Sequence, residues 1–211
     1  DYMKSFEGAD NIVVVTITGT LSGSYNSAEI AKKIYLEEHP NANIHVIDSL
    51  SAGGEVDLLV RKLNHLVAEG LDFDQVLDAI TAYQAKTKLL FVLAKVDNLV
   101  KNGRLSKLVG TVVGLLNIRM VGEASTTGTL ELLQKARGQK KAIKAAFDEL
   151  IKAGYNGGHI TIAHRNNDKF IEQFSELVRE KFANATIEIL PTSGLCSFYA
   201  EEGGLLMGYE I

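Results

Sequence analysis

A run of β-branched residues near the start of the chain, Asn11–Ile17, constrains the fold more than any other segment. A strand with so little polar interruption is typical of a parallel sheet that is buried on both faces. The run ends in the Gly- and Ser-containing segment Thr18–Ser24, and a helix is predicted to follow over about 25–38. Its apolar side is expected to consist of Ala28, Ile30, Ala31, Ile34 and Tyr35. Pro40 ends that helix, and a second short strand is expected over 43–47. This order of elements predicts a parallel α/β layer.

Two more helices are predicted before residue 87, over about 53–69 and 72–85. The rest of the chain has a different pattern, because Thr126-Thr127-Gly128 is typical of a hairpin turn between two strands. We predict the remaining strands over 88–94, 118–121, 130–133, 159–163, 186–190 and 205–209, and helices over 108–116, 140–153, 169–182 and 197–202. A short helical segment is also expected directly after the strand over 88–94. Hairpins mixed with strand–helix units are typical of an α+β domain with a mostly antiparallel sheet.

The sequence therefore predicts an α/β protein of two domains. Residues 1–87 would form a doubly wound-like parallel domain, and residues 88–211 would form the α+β domain. Because the chain enters a core strand so close to its start, we expect the first domain to be incomplete at its N-terminal side.

Composition excludes several classes of protein. The chain has 211 residues, of which 46% are hydrophobic and 23% charged, which is typical of a globular domain. With a net charge of −4 the composition is not that of a basic nucleic-acid-binding protein, and no apolar run approaches the ~20 residues of a membrane helix. The single cysteine, Cys196, cannot form a disulfide framework or a thiolate metal site. With no export signal at Asp1–Lys4, a cytoplasmic protein is expected.

The segment Thr18–Ser24 is the strongest candidate for chemistry. The end of a parallel strand and the start of the next helix offer free N–H groups to an anion, and Thr20, Ser22 and Ser24 supply hydroxyl donors there. The segment would suit a carboxylate or a phosphate, although Ser22 or Ser24 could simply cap the helix. It lacks the Gly-Lys-Ser/Thr ending of a P-loop and the glycine spacing of a dinucleotide fold. Asp48 could contact a ribose in a nucleotide-binding enzyme, or cap the helix after it.

Other polar residues carry weaker signals. None of the five histidines has the spacing of metal ligands, so no metal or other cofactor is expected. His164 closes a predicted strand, and Cys196 lies in an apolar setting that favours a packing role. Arg104, in a turn, and Arg137, before a helix, could each hold an anion or an acidic partner.

Taken together, these segments resemble the DegV family. Residues 16–28 (TITGTLSGSYNSA) are similar to the strand and LSGTYxSA signature of that family, and residues 46–54 (VIDSLSAGG) to its second motif. Residues 98–106 (NLVKNGRLS), 114–119 (GLLNIR) and 135–142 (KARGQKKA) follow in the expected order. The resemblance covers nearly the whole chain.

The resemblance implies a fatty-acid-binding protein with two α/β domains that enclose the lipid between them. In bacteria that have the partner, such proteins present the bound carboxylate to a separate fatty-acid kinase. The family's carboxylate site uses the serine that corresponds to Ser22, with the N–H near Gly23. Its two arginines correspond to Arg104 and Arg137, near the carboxylate or the kinase contact. The protein would bind a ligand without being an enzyme itself. The predicted ligand-binding residues are Thr18, Thr20, Ser22, Gly23, Ser24, Arg104, Arg137 and Tyr199.

The chain departs from the family pattern in three respects. The first strands and a Thr-Ser-Gln-Pro-Ser loop of the family are not in this sequence. Tyr199 stands where the family has a histidine, and its hydroxyl can still donate a hydrogen bond. Arg119-Met120 stands where Lys-Pro is common. Besides the nucleotide-binding enzyme, these departures leave open a truncated interaction module without a ligand, whose uncovered sheet edge would recruit another chain.

Overall fold

A computed structural model describes residues 1–105 and 117–211 of the chain. The helices are α1 (Tyr2–Phe6), α2 (Ser24–Glu38), α3 (Gly54–Ala68), α4 (Phe73–Gln84), α5 (Asp97–Lys101), α6 (Gln139–Lys152), α7 (Asp168–Lys181) and α8 (Gly194–Ala200). The strands are β1 (Asn11–Thr16), β2 (Asn43–Asp48), β3 (Thr87–Leu93), β4 (Ile118–Ala124), β5 (Leu130–Arg137), β6 (His159–His164), β7 (Thr186–Pro191) and β8 (Leu205–Glu210).

Strands β1 and β2 form a small parallel sheet in which Thr16 pairs with Asp48 at the C-terminal edge. Alternate residues of β1 pack on opposite sides, because Ile12 and Val14 join α1 and α2 while Val13 and Val15 join α3 and α4. Both faces of the sheet are therefore covered by helices, as the β-branched run predicted.

The larger sheet has six strands in the order β5-β4-β3-β8-β6-β7. Adjacent strands in this sheet are antiparallel, except for β6 and β7, which are parallel to each other. The last strand along the chain, β8, lies between β3 and β6 and is almost completely buried. The small parallel sheet and the larger mixed sheet confirm the predicted α/β fold class.

Helices cover both faces of the larger sheet. Helices α6 and α7 pack on one face, and α5 and α8 contribute to a second apolar cluster on the other. Helix α3 also lies on this sheet, where its first residue, Gly54, meets the backbone of β6 and β8. A Cβ atom on Gly54 would lie only 2.2 Å from the carbonyl oxygen of Thr161 and 2.7 Å from the Gly208 nitrogen, so this contact requires glycine.

The structure corrects some of the element boundaries and adds one helix. Helix α8 begins at Gly194 rather than at Ser197 and ends at Ala200, and α1 lies in a segment for which no helix was predicted. The predicted helix over 108–116 lies outside the described residues. Ile30 and Ile34, expected on the apolar side of α2, are 52% and 46% exposed. The residues of that helix that are buried in the core are Ala28, Ala31 and Tyr35, with Leu36 packed beside them.

Helix α3, which precedes residue 87, contacts strands of both sheets, so the two sheets are not separated at that residue. The domain boundary near residue 87 stays a prediction. Within the part of the chain that the structure describes, no helix is both long and apolar enough to span a bilayer.

Candidate functional site

The loop between β1 and α2, residues 17–23, is held at the C-terminal edge of the small sheet; we call it the Ser22 loop. Its Thr18 N–H donates to the Ser51 carbonyl oxygen at 2.8 Å. The Gly19 N–H donates to both carboxylate oxygens of Asp48, at 3.1 and 3.2 Å. The parallel pairing of β1 and β2 places both partners beside the loop, so the backbone is fixed from the β2 side.

The Asp48 carboxylate accepts hydrogen bonds from the backbone of two loops. Besides the Gly19 N–H, its carboxylate accepts the Leu50 N–H at 2.9 Å, and it therefore bridges the ends of the two parallel strands. The alternative expectation, a carboxylate that contacts a ribose, would require these oxygens to leave their backbone partners. The observed bonds disfavour that arrangement.

The hydroxyl groups of the Ser22 loop fall into two pairs. Ser22 Oγ and Ser24 Oγ are within hydrogen-bond distance, and the Ser24 N–H also points to Ser22 Oγ at 3.2 Å. Thr18 Oγ1 and Thr20 Oγ1 are 3.0 Å apart, with Thr18 buried. The Ser22–Ser24 pair lies where α2 begins, next to the N-cap residue Gly23.

The start of α2 can accept an anion. The N-cap residue, Gly23, has no side chain that could cap the helix, the Ser24 N–H donates to Ser22 Oγ, and the first turn contains no acidic residue. The first N–H groups of a helix lack internal partners and carry the positive end of the helix dipole. Ser22 and Ser24 add hydroxyl donors beside these groups.

An apolar cavity opens directly beside the Ser22 loop. It has a volume of about 60 Å³, and Ile17 and Leu21 of the loop form part of its wall. Pockets that enclose a whole ligand are typically several hundred Å³ in volume, so this cavity is much smaller than a pocket of that kind. The wall also includes Ala52, Phe91, Leu93, Leu99, Arg104, Leu130, Leu195, Cys196, Tyr199, Ala200 and Leu206.

Two of the predicted ligand-binding residues, Arg104 and Tyr199, lie on the wall of this cavity. Arg104 is exposed, and its Nε donates to the Leu21 carbonyl oxygen at 3.2 Å while Nη1 donates to the Asn102 carbonyl oxygen at 2.6 Å. Tyr199 is half-buried in α8, with its ring against Phe198. The structure thus brings the Ser22 loop, Arg104 and Tyr199 together.

Arg137 lies elsewhere, at the end of β5. It is exposed and lines a separate hollow of about 480 Å³ at the N-terminus of α6, together with Lys140, Lys141 and Lys169. Four cationic side chains around one hollow form a strongly positive surface.

The other two residues that the sequence analysis singled out, Cys196 and His164, have surroundings that suit a role in packing or in local hydrogen bonding. Burial raises the pKa of the Cys196 thiol, which keeps it protonated, so the side chain acts as a small apolar group in the cavity wall. His164 Nδ1 lies 3.3 Å from the Asn167 N–H at the end of β6. Among residues 1–105 and 117–211, no three His, Cys, Asp or Glu side chains are arranged to hold a metal ion.

Two contributors to the site escaped the sequence analysis. Ala52 lines the cavity although its own segment carries no apolar pattern. Gly128, in the turn of the β4–β5 hairpin, accepts a hydrogen bond from Thr20 in the Ser22 loop. The hairpin turn itself was recognisable in the sequence, but a contact between residues 108 positions apart was not.

Comparisons with known proteins identify the family of this chain. A family model described as uncharacterised protein, DegV family, matches residues 2–209. A DegV domain-containing protein of Streptococcus gordonii is 77% identical over 211 residues, which are 100% of this chain and 75% of that protein.

Two solved structures are similar over almost the whole chain. The fatty acid kinase (Fak) B3 protein of Streptococcus pneumoniae, loaded with linoleic acid, has a TM-score of 0.97 and 76% identity, over 100% of this chain and 75% of that one. A DegV family protein of Eubacterium eligens, loaded with heptadecanoic acid, has a TM-score of 0.95 and 39% identity, over 99% and 76%. The match over nearly all of its residues confirms the resemblance in the sequence: the chain belongs to the DegV family.

Proposed function

We propose that this protein binds a long-chain fatty acid, with the carboxylate at the Ser22 loop and the acyl chain in the apolar cavity. One observation carries the proposal: a loop of hydroxyl groups at a helix start lies directly beside a cavity whose wall is almost wholly apolar. The similar proteins of Streptococcus pneumoniae and Eubacterium eligens, loaded with linoleic and heptadecanoic acid, support the same ligand class.

The carboxylate would be held by neutral donors. Ser22 and Ser24 hydroxyls and the N–H groups after Gly23 can each donate to a carboxylate oxygen, and hydrogen bonds to a charged acceptor are about twice as strong as neutral ones. Arg104 adds a positive charge at the same end of the cavity, and the Tyr199 hydroxyl adds a donor from α8. In this proposal Thr18 and Thr20 support the backbone of the Ser22 loop through their hydrogen bonds.

The acyl chain would supply most of the binding free energy. Transfer of each methylene from water to an apolar wall contributes about 0.8 kcal/mol, so even a partly enclosed long chain gains several kcal/mol. The cavity requires no catalytic group or cofactor for this purpose, and we propose a binding role rather than catalysis by the protein itself.

We also propose that the protein presents its bound acid to a fatty-acid kinase in the cytoplasm. The similar Streptococcus pneumoniae protein is named as a fatty acid kinase B3 protein, which supports such a partner. The positive hollow around Arg137, Lys140, Lys141 and Lys169 is a suitable contact surface for an acidic region of a kinase.

The direct test of binding is extraction of the purified protein with organic solvent and mass spectrometry of the extract. A stoichiometric fatty acid is expected. Titration should then show that Ser22→Ala weakens binding of linoleic acid by roughly tenfold, since a bond to a charged group is lost. Ser27→Ala is the control, because Ser27 is exposed on the same helix. An empty extract together with no uptake of added acid would contradict the proposal.

The kinase contact has a separate test. In a reaction with a purified fatty-acid kinase and ATP, Arg137→Ala should slow phosphorylation of the presented acid without changing its affinity for the protein. Lys144→Ala, which changes an exposed lysine outside the hollow, is the control. Equal rates for both variants and the wild type would refute the assignment of this surface.

A further inference from the structure

The tip of the β4–β5 hairpin, residues 125–129, lies on the Ser22 loop. Thr20 Oγ1 donates to the Gly128 carbonyl oxygen at 2.7 Å, and the same hydroxyl is 3.0 Å from Thr18 Oγ1. This bond joins a loop of the small sheet to a hairpin of the larger one, so the position of the loop depends on both sheets.

Only glycine allows the hairpin tip to approach so closely. Gly128 is buried with φ at +78°, and a Cβ atom there would lie 2.1 Å from Thr18 Oγ1 and 3.0 Å from Leu50 Cα. Both the backbone conformation and the available space exclude a side chain. The fit between tip and loop is therefore specific.

The hairpin tip is itself well braced. Ser125 Oγ accepts the N–H groups of Thr127 and Thr129 at 3.2 and 3.1 Å, and the Gly128 N–H donates to the Ser125 carbonyl oxygen at 2.9 Å. A turn with these internal bonds can hold the Gly128 carbonyl oxygen in a defined position.

The hairpin completes a set of restraints around Ser22. Asp48 holds Gly19 from the β2 side, and Arg104 holds the Leu21 carbonyl oxygen from beside the cavity. Thr20 lies between these two anchored residues, and Gly128 is its partner outside the loop.

We propose that Thr20 and Gly128 are positioning residues that set the Ser22 hydroxyl for recognition of the ligand's head group. This inference rests on the proposed function and deepens it. In this proposal the Thr20 hydroxyl does not contact the carboxylate. Its hydrogen bond to the Gly128 carbonyl oxygen fixes the Ser22 loop against the hairpin, and this fixes the position of Ser22. The hairpin of the larger sheet thereby determines how well the small sheet's loop distinguishes a carboxylate from a neutral group.

The test compares linoleic acid with linoleyl alcohol, which has the same chain and no carboxylate. Thr20→Val removes the hydroxyl at nearly constant volume and should weaken binding of the acid by about threefold to tenfold, the value of one hydrogen bond. Binding of the alcohol and the melting temperature should stay close to those of the wild type. Thr127→Val is the matched control, because within the described part of the chain its hydroxyl bonds to Ser125 in the same turn and not to the Ser22 loop.

The double variant Ser22→Ala/Thr20→Val separates positioning from direct contact. If Thr20 acts through Ser22, its replacement has little further effect once the Ser22 hydroxyl is absent. An equally large effect in both backgrounds, or an unchanged ratio of acid to alcohol affinity in Thr20→Val, would overturn the inference while fatty-acid binding stands. A wild type that does not prefer the acid would overturn the head-group site and this inference together. Gly128→Ala should lower the ratio of acid to alcohol affinity further than Thr20→Val does. If Gly128→Ala unfolds, the result for Thr20→Val is the test of the inference.

Discussion

Filling the cavity beside the Ser22 loop should separate the stability of the protein from its affinity for lipid. Ala52 lies on the cavity wall and is half-buried in the loop between β2 and α3, so a larger side chain there can extend into the open space. We expect Ala52→Phe to fold, to keep its melting temperature or raise it, and to bind fatty acids much more weakly.

The two magnitudes follow from the cavity. Filling a space of about 60 Å³ at ~24 cal/mol per Å³ stabilises the free protein by at most about 1.4 kcal/mol. A phenyl ring displaces roughly three to four methylene groups of the ligand, each of which contributes about 0.8 kcal/mol. The loss of about 3 kcal/mol corresponds to roughly a hundredfold weaker binding.

Titration calorimetry with linoleic acid and linoleyl alcohol measures this loss, and thermal unfolding without ligand measures stability. Because the ring displaces the chain and not the head group, both ligands should weaken by the same factor. Val100→Phe adds a ring at a residue that is 40% exposed and lies outside the cavity wall, and it serves as the control. Unchanged affinity in Ala52→Phe, or weaker binding of the acid alone, would refute the assignment of this cavity to the acyl chain.

Two further predictions concern the junction of α3 with the larger sheet. Burial raises the pKa of the Glu55 carboxyl despite the hydrogen bond from Thr87, so its charged form destabilises the folded state at neutral pH. Glu55→Gln should therefore melt at a higher temperature than the wild type near pH 7, and an advantage that did not shrink as the pH falls toward about 4 would contradict this cause. Gly54→Ala should destabilise the protein by about 3 kcal/mol in urea unfolding, because its Cβ would meet the Thr161 carbonyl oxygen at 2.2 Å. Gly23→Ala, where a Cβ meets nothing within 4 Å, should unfold near the wild-type midpoint.

The sequence alone was sufficient for most of the local structure. The β-branched run became β1, and the Gly- and Ser-containing segment after it became the Ser22 loop before α2. The Thr126–Gly128 signature became the turn of the β4–β5 hairpin. These features are encoded locally, because the period of apolar residues and the conformational preferences of glycine act over a few neighbouring residues.

The assignment of residues to surface and interior was less reliable. Ile30 and Ile34 have the spacing of a core face, yet they are exposed while Ala28 and Ala31 on the same helix are buried. Periodicity identifies an amphipathic helix, but the neighbouring elements determine how much of its apolar side is covered.

The site itself depended on the tertiary structure. The cavity gathers Ala52, Leu130 and Leu206 from separate parts of the chain, and Thr20 meets Gly128 across 108 positions. Such contacts follow from the strand order that places β8 between β3 and β6 and brings the hairpin tip to the Ser22 loop. The sequence determined that a hydroxyl-rich loop precedes a helix. Only the packing of the two sheets, which share contacts with α3, decided which walls and which turn would surround it, because those positions depend on chain topology and not on neighbours in sequence.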